Sequence, residues 1–175
     1  MDWYDTVFEV IDMRSFSNLW YWIALAVIWS TASHWVLGVP FDMVLRARRK
    51  GGQSEVDLED MVRINCNRLL YIGRVSGLWL LAFGCAAITA LTLIGFWYGV
   101  EFAQALFFFV FPLSIIGLLS MSTARLITAE AATGELLHKR LGRHRLYTQI
   151  IGMLSVFVTS MWGMYQNLVV GPLGG

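Results

Sequence analysis

Apolar and polar positions fall in long blocks along this chain. Four stretches, about 18–39, 75–97, 102–124 and 147–168, are almost free of charge. A helix needs about 20 consecutive apolar residues to cross the roughly 30 Å hydrocarbon core of a bilayer, and each stretch is long enough. The pattern therefore predicts an all-α, polytopic membrane protein: a single domain over residues 1–175, built as a bundle of four transmembrane helices. Residues 2–15 read as a short interfacial helix. Trp3, Val7, Val10, Ile11 and Arg14 fall near helical spacing, with Asp5, Glu9 and Asp12 opposite. Ser15 or Ser17 is placed to cap the helix that follows.

The basic residues decide the orientation. Twelve of the 13 Lys and Arg lie in segments 42–74 and 125–145. The first segment holds Arg46, Arg48, Arg49, Lys50, Arg63, Arg68 and Arg74; the second holds Arg125, Lys139, Arg140, Arg143 and Arg145. Short loops rich in Lys and Arg stay in the cytoplasm, so both segments are expected inside a bacterial inner membrane and both termini in the periplasm. Five tryptophans (Trp3, Trp20, Trp22, Trp97 and Trp162) then fall at the outer interface, the level aromatic belts favour.

Local signals refine this picture. Pro40 ends or kinks the first span, and Gly51-Gly52 breaks the chain after the Arg48-Arg49-Lys50 stop signal. Ser54 starts a cytoplasmic amphipathic helix that runs directly into the second span, its acidic first turn matching the helix dipole. Gly99, Val100 and Glu101 alone separate spans two and three, so these form an antiparallel hairpin. Pro112 bends span three and frees a carbonyl, with Ser114 a candidate local partner for nearby backbone. The segment 125–145 is helical with a break at Thr133-Gly134.

Composition narrows the function classes. The chain is 57% hydrophobic and 14% charged, against about 25% charged in soluble domains. The net charge of +1 conceals a split: the two basic segments balance to +5 and the rest to −4. Nucleic-acid binding is a poor account of such runs, which serve as topology signals. Cys66 and Cys85 lie in a cytoplasmic helix and a span, so neither a disulfide nor a metal motif is expected. The acidic start, Asp2 to Asp12, is unlike a cleaved signal peptide. No nucleophile elbow, zinc-protease, phosphate-loop or dinucleotide signature is present. No cofactor is implied, and the chain reads as a non-enzyme.

Candidate functional residues remain few. His34 is the one ionisable group placed inside a span, which makes it a functional-site hypothesis. Ala26, Ser30, His34 and Gly38 recur every fourth residue as a small-residue packing stripe. Further packing patterns are Gly73 with Gly77, Ala82 with Ala86 and Ala90, and Ser155 with Thr159 and Gly163. Phe107 to Phe109 and Phe111 suit a lipid- or partner-facing surface. Arg63, Asn67 and Arg74 recur at helical spacing and are candidates for contact with a lipid headgroup or an acidic partner.

Together these features favour an accessory, assembly or scaffolding subunit beside a larger membrane complex. The alternatives are a small homo-oligomeric channel or carrier with Ser30 and His34 lining the path, and a membrane redox protein in which a dimer pairs two copies of His34 on haem.

The stretches Ser15-Phe16-Ser17-Asn18-Leu19-Trp20-Tyr21-Trp22 and Ser33-His34-Trp35-Val36-Leu37-Gly38-Val39-Pro40-Phe41-Asp42, with Met164-Tyr165-Gln166-Asn167, resemble a family of small bacterial inner-membrane proteins. Some of these are labelled a component of the Suf iron–sulfur assembly complex. The resemblance implies a partner role and carries no functional residue onto this chain.

Overall fold

The computed structural model describes residues 15–169, so the expected interfacial helix over 2–15 lies outside the described residues except for Ser15. After a 3₁₀ turn at Ser15–Ser17 the chain forms α1 (Leu19–His34), α2 (Phe41–Lys50), α3 (Gln53–Thr92), α4 (Glu101–Ala129) and α5 (Gly134–Val169). Among the described residues the protein is thus all-α apart from one pair of two-residue strands. Three helices among the described residues are long and apolar enough to cross a membrane: α3 with its extension to Trp97, α4 and α5.

The first expected span is the exception. Helix α1 has 16 residues and so measures about 24 Å at 1.5 Å per residue, short of the roughly 30 Å hydrocarbon thickness. Its N-cap is Asn18 rather than Ser15 or Ser17: the Asn18 side chain accepts from the Trp20 N–H at 3.0 Å, while the Ser17 hydroxyl donates to Asn167 Oδ1 at 2.7 Å. The helix stops at His34, well before residue 39. There β1 (Trp35–Val36) turns back onto β2 (Val39–Pro40), pairing Trp35 with Pro40 and Val36 with Val39. Leu37 and Gly38, at φ 51° and 75°, make a two-residue turn whose twist suits a hairpin. The valines and tryptophan favour extended backbone, so the expected break at Pro40 begins five residues earlier.

Helix α2 carries Asp42 in its first turn and Arg48, Arg49 and Lys50 in its last, charges that complement its dipole. It buries Val44 and Ala47 and ends at Gly51 and Gly52, both at positive φ. Helix α3 is a single rod of 40 residues, so the amphipathic helix does run unbroken into the apolar stretch. It widens into a π-type turn at Leu93–Trp97 before the short link to α4.

Pro112 lies inside α4. Lacking an N–H, it leaves the carbonyl of Phe108, four residues earlier, without its helical donor. Ser155 of α5 supplies one, its hydroxyl donating to Phe108 O at 3.4 Å, while Ser114 donates to Val110 O at 2.6 Å. The freed carbonyl is therefore served across the α4–α5 contact, and the expected local partner serves the next turn. The break between the last two helices falls at residues 130–133, with Ala131 and Gly134 at positive φ.

The helices lie in a row: α3 packs on α4, α4 on α5, and α5 on α1. Small residues of α5 receive α1. A Cβ on Gly152 would stand 2.7 Å from the Trp29 ring, and one on Gly163 would stand 3.3 Å from the Trp22 ring. The main apolar core sits at the basic end. There Val36, Val39, Val44, Ala47, Leu58, Val62, Cys66, Ala124, Ile127, Leu137 and Leu141 pack together.

Candidate functional site: a groove at the basic end

At that end α3 presents Arg63, Asn67, Leu70 and Arg74 along one side, at the spacing the sequence suggests. The structure puts all four on a groove between α3 and α4. The outer part, about 410 Å³, brings Glu59, Asp60, Arg63 and Asn67 together with Thr128 and Thr133 over an apolar lining of Val62, Cys66, Ile127 and Leu137. The inner part, about 420 Å³, is lined by Leu70, Gly73, Arg74, Met121 and Arg125. Thr128 lines both, so the two adjoin along α3. Arg63 donates to Asp60 Oδ1 at 2.9 Å within its own helix. Both groups are exposed, so this pair contributes little to stability.

The groove is held by contacts around the start of α5. Glu59 accepts from the Gly134 N–H at 2.8 Å, satisfying one of the free donors at that helix N-terminus. Glu55 lies 3.7 Å from Nε2 of the buried His138. Arg140 makes a two-pronged pair with Glu130, and Arg145 stacks 3.8 Å above the Phe41 ring. The acidic start of α3 thus serves the dipole of α5 as well as its own. Burial pushes the Cys66 thiol above its ordinary range, which leaves it an apolar filler with little thiolate character.

His34 stands elsewhere. It ends α1, exposed, with Nε2 3.3 Å from Asp42 Oδ1. Ala26 and Ser30 are exposed on the same helix. The hairpin carries Gly38 off that helix, to where its carbonyl accepts from Asn65 Nδ2 at 3.2 Å. The expected four-residue stripe therefore breaks at His34, and its members do not pack α1 onto another described helix. The mistaken extension of the helix through Trp35–Pro40 is the cause.

Other packing expectations divide. Gly73 does receive a neighbour, since a Cβ there would stand 2.5 Å from Met121 Cε, while Gly77 faces open space. Thr159 is buried and Gly163 meets Phe16 and Trp22. Ala82, Ala86 and Ala90 all face outward. Phe108 and Phe109 point inward, not to lipid: their rings meet Phe16, Phe96 and Trp162, and Tyr21, respectively.

Two structural features have no counterpart in the sequence pattern. Arg125, one of the basic residues that set the orientation, also lines the groove. The three-residue link at Tyr98–Val100 sets the α3–α4 register, and that register brings Arg125 level with Arg74. The other feature is Gln104, 3% exposed. Its Oε1 accepts from Trp162 Nε1 at 2.9 Å and Gln166 Nε2 at 2.7 Å, and its Nε2 donates to Gly95 O at 2.8 Å. This clamp joins the π-type turn, α4 and α5 at the end away from the basic groove.

Comparison with protein-family models, curated proteins and solved structures finds no match for this chain.

Proposed function

We propose that the protein is a non-catalytic accessory or assembly subunit that lays α3 against a larger complex in the bacterial inner membrane. One observation carries the reading: α3 is an edge helix, and none of its most apolar 18-residue window is buried within the chain. Its exposed Ala82, Ala86 and Ala90 form a stripe of the kind that lets another helix approach closely. In this reading α1 makes a fourth, short crossing, eked out by the turn before it and the hairpin after it. The basic end faces the cytoplasm and both termini the periplasm, as the Lys and Arg distribution favours.

Purification in mild detergent is expected to recover a stoichiometric membrane partner that is lost in the double variant Ala82→Phe/Ala86→Phe. A lone monodisperse monomer from the unaltered chain would overturn the proposal. A self-assembled oligomer built on the Ser30–His34 face of α1 would instead keep its mass in that variant.

A further inference from the structure

We propose that the inner half of the groove binds one anionic, two-chain phospholipid, its phosphate held between Arg74 and Arg125. Both arginines line the same cavity of about 420 Å³, from opposite helices. Neither forms an ion pair among the described residues. The acids nearby are engaged elsewhere: Glu59 on the Gly134 N–H, Asp60 on Arg63 and Glu130 on Arg140. The inner half of the groove thus contributes two cations and no carboxylate.

Its depth fits a lipid. Arg74 is the last charged residue before the apolar stretch of α3, and Arg125 is the first after that of α4. Both therefore stand where water gives way to hydrocarbon, the level of a phosphate ester. Arginine suits that group because its planar fork donates two parallel hydrogen bonds to phosphate oxygens. The rest of the wall is apolar. Leu70 lies beside the arginines, and Gly73 leaves room for Met121, whose flexible thioether adapts to an irregular chain. Toward the apolar stretch Val75 and Leu78 are exposed and add apolar surface at hydrocarbon depth. A free phosphate would find no use for that wall, and an acidic peptide would have to enter at hydrocarbon depth. The site does not depend on whether a partner covers the alanine stripe of α3.

The test is binding of phosphatidylglycerol and phosphatidylcholine to the full chain in nanodiscs or by native mass spectrometry. Phosphatidylglycerol is expected to be retained preferentially. Each basic side chain near an anionic lipid is worth a factor of about five, so Arg74→Ala/Arg125→Ala should weaken retention about 25-fold. Arg49→Ala/Lys50→Ala removes the same charge outside the groove and should leave retention near that of the unaltered chain. All four side chains are exposed, and an unchanged thermal transition in detergent verifies that each variant is folded. Equal retention of the two lipids would overturn the proposal, as would equal losses in the two double variants. Displacement of the lipid by glycerol phosphate at the same concentration would overturn the assignment to a two-chain lipid.

Discussion

The basic end and the apolar half of α3 belong to one helix yet solve different problems. From Leu58 to Cys66 the helix buries a stripe against α2, α4 and α5. From Leu78 to Phe83 its large side chains lie open, Leu78 at 80% exposure. On the proposed placement water surrounds the first region, so apolar side chains there gain free energy by leaving it. Lipid is as apolar as leucine, so the second region gains little by burial, and its packing rests on close fit and polar pairing. In a membrane protein, burial therefore marks where water is more than it marks where the core is.

The sharpest way to break this contrast is a pair of leucine truncations. Leu58→Ala, at a position with 0% exposure, should cost about 2–5 kcal/mol, read as thermal unfolding in detergent. Leu78→Ala should stay within about 0.5 kcal/mol. Similar losses at both sites would show that α3 is packed against something over its apolar half.

Gln104 tests the other side of the contrast, that polar pairing holds the end remote from the basic groove. Gln104→Leu leaves the Trp162 and Gln166 donors and the Gly95 carbonyl unmet. At about 1–3 kcal/mol for each buried group left unsatisfied, the loss should rival a core truncation. Adding Trp162→Phe should cost less in this background than alone, because the partners share one network. Strict additivity would show that the clamp does not act as a unit.

A smaller effect is expected at Glu59→Ala, which removes the acceptor for the Gly134 N–H. Loss of a helix cap costs about 1 kcal/mol. Amide exchange at residues 134–137 should speed up, while exchange in the apolar half of α3 stays as it was.

The smallest effect concerns pH. Burial raises the Cys66 thiol, so the folded chain keeps a proton that the unfolded chain gives up. The resulting stability is fully present below the ordinary thiol range and is lost as pH rises from there through the raised value. Cys66→Ala should flatten the alkaline limb of the stability curve relative to the unaltered chain. An identical limb in both would refute a buried thiol at this position.

Much of the architecture was legible because long periodic blocks leave little choice. The unbroken run from the Ser54 region into the apolar stretch of α3, the short link before Glu101 and the break near Thr133 were all visible. The end of α1 was misread because hydropathy cannot tell a helix from a hairpin in Trp35-Val36-Leu37-Gly38-Val39: every residue there suits either solvent, and only the turn chemistry of Leu37-Gly38 differs. That error carried Gly38 into a false stripe with Ser30 and His34. That Arg63, Asn67 and Arg74 share one groove was legible because they lie on one helix face. Arg125 was not, since its relation to Arg74 exists only through the register across the hairpin. Gln104 is a single amide in an apolar block, with no sequence pattern to distinguish it.

The length of α3 has a further consequence. Forty residues make a rod of about 60 Å, twice the roughly 30 Å hydrocarbon thickness. Set upright, such a helix leaves about half its length protruding, a rigid mast with α2 and the start of α5 lashed to it. A molecule in the aqueous phase could grip that mast well clear of the headgroups, while the rooted half remains free for a neighbour within the lipid.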